Sequence, residues 1–213
     1  MVEGLRERKK RQTLRRISDV AISLFVARGF DQVTIAEVAE AAEVSPNTVY
    51  NYFHTKEDLV LPPEAASHRR LAGIVAARGV GRSAARAVLV HLRQEVRDRE
   101  RTVGLTPGFG RVLAMMLATP SLAARLSDLA VQNVDELAAL LAEETGAPAG
   151  DPVPRLVASQ IGWFHSLIFA EIGTRTLAGE EPDAIAEPVL TLLDAIEDLL
   201  GKRVLEYAVR EVS

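Results

Sequence analysis

Three helix starts are crowded into residues 34–58, and no other feature of the chain restricts its fold so tightly. Thr34 and Glu37 make a T-x-x-E capping box, with Val33 and Val38 at the N′ and N4 positions of a hydrophobic staple. Ser45 is a second N-cap, followed by Pro46 at the first helical position, where its missing N–H costs nothing, and Val44 with Val49 repeats the staple. Thr55 with Asp58 supplies a third start and predicts a fourth helix opening over Thr55 to Leu61. Upstream, Leu14, Ile17, Ala21, Leu24 and Phe25 follow the spacing of one helical face, and Gly29 ends that helix. Helices two and three are then joined by only a few residues, which is the arrangement of a helix-turn-helix.

The third helix resolves into two faces. At about 100° per residue, Val49 and Phe53 point together into a small core, and Asn47, Tyr50, Asn51 and His54 line the opposite side. That outer stripe is polar and uncharged, where a surface selected only for solubility carries Lys and Glu. Asparagine pairs in a bidentate way with adenine in the major groove, and tyrosine reaches a phosphate or packs on a thymine methyl. His54 at the helix end is open to two readings, a DNA contact or a cap on the last carbonyls.

The net charge of −4 hides an uneven distribution. Residues 1–60 hold 9 basic and 9 acidic side chains, residues 61–119 hold 10 and 4, and residues 120–213 hold 6 and 16. Seven of the basic groups (Arg6, Arg8, Lys9, Lys10, Arg11, Arg15 and Arg16) precede residue 17, where they suit either an arm that grips a polyanion or a solvated tail. The chain has no cysteine, which removes disulfides, thiolate nucleophiles and Cys-ligated metal sites, and a reducing cytoplasm is the expected compartment. The longest run without Asp, Glu, Lys or Arg, Leu156 to Ala170, is too short for a membrane span, and the basic N-terminus leads into no apolar signal segment. No membrane partner is expected.

The run from Thr34 to Leu59, TIAEVAEAAEVSPNTVYNYFHTKEDL, together with Leu24-Phe25 and Gly29-Phe30, closely resembles the DNA-binding region of TetR-family transcriptional regulators. The resemblance covers residues 13–61. It implies that Thr34, Thr48, Tyr52 and Lys56 approach DNA phosphates and that Pro46, Asn47, Tyr50 and Asn51 approach base edges, and Ser45 is counted with them as a DNA-binding residue. Two positions depart from the family pattern. Glu43 stands in the turn where many members have glycine, so it is expected to face solvent or a basic neighbour. Pro62-Pro63 falls where the family continues helix four and predicts a break there.

Beyond Pro63, breakers separate helices expected near 64–77, 82–100, 108–118, 121–145, 155–177 and 183–200, the last with an optional extension to 211. The fold class is therefore all-α: an N-terminal three-helix helix-turn-helix domain over 1–61 and a larger helical domain over 62–213. In the helix at 155–177, Val157, Ile161, Phe164, Ile168 and Ile172 form one ridge, with Trp163 and Leu167 on a second stripe, so more than one face must be buried. Such helices at the chain end either pair with their symmetry mates in a homodimer or close a monomeric bundle. Phe109, Leu113, Met116, Trp163, Phe164 and Leu167 are candidates to line a pocket for a hydrophobic small-molecule effector, and equally suit an ordinary core. His91, His165 and Arg111 are candidate polar anchors, and Arg82, Arg86, Arg93, Arg97, Arg99 and Arg101 suit either an anionic head group or a solvated face.

No glycine-rich phosphate loop, H-E-x-x-H or G-x-S-x-G occurs, and the four histidines lack metal-ligand spacing, so neither catalysis, nor a metal, nor a cofactor is expected. The expected function is a ligand-responsive repressor that binds a palindromic operator in double-stranded DNA as a homodimer through its last two long helices. An effector would favour a dimer whose reading helices no longer match major grooves about 34–36 Å apart. The alternatives are a constitutive DNA-binding regulator and a helical interaction module with a vestigial helix-turn-helix.

Overall fold

The computed structural model describes residues 5–61 and 67–211, and all regular structure among them is helical. The α-helices are α1 (Leu5–Arg28), α2 (Ile35–Ala41), α3 (Pro46–Tyr52), α4 (Arg70–Ala76), α5 (Ala84–Arg97), α6 (Phe109–Ala118), α7 (Pro120–Thr145), α8 (Val153–Leu177), α9 (Pro182–Leu199) and α10 (Lys202–Leu205). They form two compact units, one of Met1–Ala66 with Arg111–Arg125 and one of Ser67–Gly110 with Leu126–Ser213. Division by sequence position alone had assigned Arg111–Arg125 to the larger domain.

In the first unit α1 packs on α2 and α2 on α3. Ile17, Ala21 and Phe25 of α1 are fully buried, as are Val38 and Ala39 of α2. The seven N-terminal basic residues belong to the backbone of a helix that already begins at Leu5; of their side chains, Arg6 and Arg11 lie outside the description. Gly29 ends α1 with φ 93° and its N–H on the Phe25 carbonyl at 2.8 Å, a conformation that only glycine adopts freely.

The expected fourth helix over Thr55 to Leu61 is not formed. The Thr55/Asp58 cap exists, with both reciprocal bonds present at 3.1 and 3.2 Å, but only a 3-10 turn over Glu57–Leu59 follows. The physical reason is in the next residues. Pro62 and Pro63 have no N–H to offer the carbonyls of Asp58 and Leu59, and a residue before proline avoids helical backbone angles. Ser18 Oγ instead donates to the Leu59 carbonyl at 2.7 Å, while Leu59, Val60 and Leu61 are all buried, a run that no one-sided helix accommodates. Pro62 and Pro63 themselves lie outside the described residues, but those on either side do not make a continuous helix through 55–77, and α4 begins only at Arg70.

In the second unit α5 is central, packing on α4, α9 and α10, and α8 packs on α9. Ala85, Val88, Leu89, Leu92 and Val96 put the apolar stripe of α5 into a core shared with Leu137, Leu141, Ile161, Phe164, Ile168, Val189 and Leu193. The ridge expected on α8 is buried throughout, whereas Trp163 on the second stripe is 56% exposed. The basic face of α5 and Arg99 just past its end meet acids of α9: Arg86 pairs with Glu197, Arg93 with Asp194 and Glu197, and Arg99 with Asp183. These contacts hold two helices of one unit together, which accounts for part of the opposed charge of the middle and C-terminal blocks. The extension of the last long helix to 211 is not continuous, because Leu200 turns to φ −69°, ψ 126° and a separate turn, α10, follows. Beyond it Arg210 accepts from the Gly81 N–H at 2.8 Å and donates to the Arg82 carbonyl at 3.2 Å, tying the chain end to the loop before α5.

Candidate nucleic-acid interface and effector domain

The start of α2 is capped as its sequence dictates. Glu37 N–H donates to Thr34 Oγ1 at 3.2 Å, and the Glu37 carboxylate accepts from Thr34 N–H and Thr34 Oγ1, each at 2.8 Å. Arg28, the last residue of α1, adds a bond of 2.7 Å to the same carboxylate. The Thr34 N–H foremost, then Arg28 and the Thr34 hydroxyl, hold the Glu37 carboxyl at a pKa of about 2. It is therefore charged throughout the physiological range.

Between α2 and α3 the chain turns by a Schellman motif. Val44 N–H donates to the Ala39 carbonyl at 2.9 Å and Glu43 N–H to the Glu40 carbonyl at 3.0 Å. Glu43 occupies the left-handed position with φ 52°, which explains why glycine suits this place and why glutamate is tolerated only with strain. It is exposed, as expected, so its charge is solvated. Ser45 then caps α3, accepting from Thr48 N–H at 3.1 Å, with the Ser45 and Thr48 hydroxyls 2.8 Å apart.

Rigid caps at both helix starts fix the outer rim of α3. Val49 and Phe53 are buried, while Ser45, Pro46, Asn47, Asn51 and His54 are exposed and Tyr50 is 58% exposed. Tyr52 and Thr48 are half-buried at the sides. The structure thus puts the residues expected near bases on one accessible, uncharged edge. Two of the positions expected near phosphates already have intramolecular work, Thr34 in its capping box and Lys56 at the corner after α1. Lys56 Nζ donates to the Phe30 carbonyl at 2.6 Å and stands 4.4 Å from the Phe30 ring centroid and 5.4 Å from that of Phe25. Sequence reasoning did not find that role, for which the two phenylalanines beside Gly29 were the only signal.

Residues 17–61 match the sequence pattern described as bacterial regulatory proteins, tetR family. The HTH-type transcriptional regulator TcmR of Streptomyces glaucescens is 29% identical over 158 residues, 72% of this chain and 70% of that protein. Residues 17–61 are thus a DNA-binding segment of the TetR type. The HTH-type transcriptional regulator LuxR of Vibrio harveyi is 44% identical over 52 residues, 24% of each chain, so the likeness there is confined to one short segment. The crystal structure of NalD, the secondary repressor of the MexAB-OprM multidrug efflux pump in Pseudomonas aeruginosa, shares the fold with a TM-score of 0.50 at 18% identity, over 86% of this chain and 96% of that one. The chain is a DNA-binding transcriptional regulator of all-helical fold.

The residues considered for an effector pocket are distributed over both units. Leu113 and Met116 belong to the first, the former half-buried and the latter buried; Phe109 and Leu167 belong to the second and are half-buried. Phe164 is a fully enclosed core residue, and Trp163 faces outward. Arg111 is exposed.

The second unit holds a polar cluster that the hydrophobic pattern concealed. Glu95 interrupts the buried stripe of α5 and accepts from Arg70 Nη2 at 2.6 and 2.8 Å, and from the Thr102 hydroxyl at 2.7 Å. His91 Nε2 lies 3.5 Å from the same carboxylate. Burial acts to raise the Glu95 carboxyl, but the His91 contact, the Arg70 charge and the Thr102 hydroxyl hold it at about 2. Beside them His165 stacks on Phe169, with ring centroids 4.7 Å apart, and the Arg70 guanidinium stands 5.9 Å from the Phe169 centroid. Burial first, then the Arg70 charge, push the His165 imidazole down to about 4, so it is neutral at pH 7.

Proposed function

We propose that this regulator is a homodimeric repressor that reads a two-fold operator with α3 and is released by a small molecule bound in its larger unit. The observation that carries the reading is the accessible edge of Asn47, Tyr50 and Asn51, held on a helix capped at Ser45 and set by a Schellman turn. Its groups donate and accept hydrogen bonds, as direct readout of base edges requires. The basic residues of α1, Arg8, Lys9, Lys10, Arg15 and Arg16, are exposed and suit sequence-independent attraction to the phosphate backbone.

Dimerisation has its own support. On α8, Leu156, Gln160, Trp163, Leu167, Ala170, Thr174 and Leu177 follow one another at alternating spacings of four and three, the seam of a helix that packs against a partner at a shallow angle. Leu156 is 57% exposed and, on α9, Leu199 is 83% exposed, a cost in water that a symmetric interface removes.

The test is a titration of duplexes spanning the region upstream of the regulator's own coding sequence, at several salt concentrations. Tyr50→Ala and Asn51→Ala are expected to lose about 1–3 kcal/mol each of discrimination between the preferred duplex and a scrambled one. Lys56→Ala is expected to weaken both duplexes alike, accompanied by a lower melting temperature because the Phe30 corner loses its tether. Unchanged sequence preference in the first two variants would overturn the base-reading assignment. Trp163→Glu is expected to sediment as a monomer.

A further inference from the structure

Two arginines of the second unit are buried, and only one is satisfied. Arg78, just past the end of α4, uses its whole guanidinium: Nε donates to the Arg82 carbonyl, Nη1 to Val75 and Glu144, and Nη2 to Glu144 and Ala208. Arg70, at the start of α4, is only 9% exposed, yet its Nε–H has no partner among the described residues. The Nε2 atom of the neighbouring His165 is likewise buried and without a partner among those residues. Buried donors are normally satisfied, and an orphan in a charged group costs more than one in a neutral group. Thr176 Oγ1 is a third such atom, but a helical threonine hydroxyl reaches the carbonyl four residues back by simple rotation, so it points to nothing.

We infer that Arg70 Nε–H and His165 Nε2 form a polar anchor for an uncharged, flat ligand that presents a carbonyl oxygen to Arg70 and lies against the His165 and Phe169 rings. This rests on the larger unit taking an effector, and specifies its chemistry. Charge decides the class. The ionisable groups around the anchor are Arg70, Glu95, His91 and His165, and the Arg70 charge is already matched by Glu95, whose oxygens are engaged by Arg70, Thr102 and His91. An anionic ligand would leave an unmatched negative charge out of water, and a cation has no acceptor to give Nε–H. A carbonyl satisfies the donor and changes no charge. Neutral imidazole exposes either an N–H or a lone pair at Nε2, so it takes the carbonyl itself or a neighbouring hydroxyl of the ligand. His165 and Phe169 stack on each other with planes inclined by 32°, so a flat group suits an outer face of that stack.

The test uses the full chain, labelled with 15N in its arginines, and three probes of one shape: acetophenone, benzoate and ethylbenzene. The Arg70 Nε–H resonance is identified by its absence in Arg70→Lys, a variant that keeps the charge opposite Glu95. Acetophenone is expected to move that resonance saturably, and benzoate to bind at least about tenfold more weakly. Ethylbenzene is expected to leave the resonance in place. Arg70→Lys and His165→Phe should each weaken acetophenone several-fold without altering ethylbenzene, a pattern that general loosening of the fold would not give. Equal binding of ketone and hydrocarbon, preference for benzoate, or a silent resonance up to about 10 mM ketone would each overturn the anchor, the last assigning the orphaned atoms to an enclosed water. Duplex binding measured on the same samples separates the two readings. Ketone occupancy without release from DNA would keep the anchor and sink the effector-released repressor, whereas release by ethylbenzene with Arg70 silent would do the reverse.

Discussion

The helix-turn-helix and the interior of the larger unit satisfy their polar groups in opposite ways. The caps around α2 and α3 join partners three residues apart: Thr34 with Glu37, Ser45 with Thr48, Thr55 with Asp58. In the larger unit they are far apart in the chain. Arg78 bonds to Glu144 and to the Ala208 carbonyl, and the Asn133 side-chain oxygen accepts from Leu71 N–H at 3.1 Å. Local partners form as soon as a helix turn forms, so they specify structure one element at a time. Distant partners form only when the unit closes, so they report its closure.

The largest expected effect of breaking this contrast is at Arg78. Arg78→Met removes the donor to three backbone carbonyls and the partner of Glu144, and is expected to cost about 3–5 kcal/mol in denaturant unfolding. Adding Glu144→Leu should recover only a fraction, because the carbonyls of Val75, Arg82 and Ala208 remain without a donor. Full recovery would mean that the carbonyl contacts contribute little and that the two arginines are alike.

Acid provides the next test. With a folded pKa of about 4 against an ordinary 6.5, His165 is neutral in the fold while the unfolded chain takes up a proton. Its contribution is therefore complete above pH 6.5 and is lost as pH falls toward 4. Glu95, at about 2 against 4.5, adds a loss below that range. His165→Phe is expected to flatten the first segment of a stability profile and leave the second; a profile unchanged by this variant would contradict the burial of a neutral imidazole.

A smaller effect is expected from replacing the incompletely satisfied pair as a whole. Arg70→Met with Glu95→Leu should change stability by no more than about 1 kcal/mol in either direction, since the orphaned Nε–H disappears with the charge it belonged to. A loss comparable with that of Arg78→Met would show that the start of α4 is built for stability alone. The smallest effect is local. Glu43→Gly relieves the left-handed strain in the turn at the expense of a more flexible unfolded chain, for an expected net gain of about 0.5–1 kcal/mol in thermal unfolding. It should also strengthen binding to any duplex slightly by removing a negative charge.

How far the sequence could be read follows the same division. The caps at Thr34 and Ser45, the stop at Gly29, the inward Val49 and Phe53 and the outward rim of α3 were legible because each depends on residues within one or two helical turns. The long helices were legible from their breakers and apolar periodicity. The Thr55 cap was read correctly and its helix wrongly, because Leu59 found a side-chain donor in Ser18, 41 positions away, and two prolines withheld theirs. The pocket candidates were chosen for apolarity, which does not distinguish the enclosed Phe164 from the exposed Trp163 on adjacent positions of α8.

By itself, then, the sequence determined where helices begin and end around the reading head and which of its faces meets solvent, since capping and amphipathicity act over a few residues. Only the tertiary structure decided which basic side chains are spoken for, that Arg86, Arg93 and Arg99 clasp α9, that Lys56 holds a corner, and that Arg70 keeps a donor unused. The reason is physical: whether a charged group is satisfied depends on what the closed fold brings within about 3 Å of it, and that distance is not encoded in spacing along the chain.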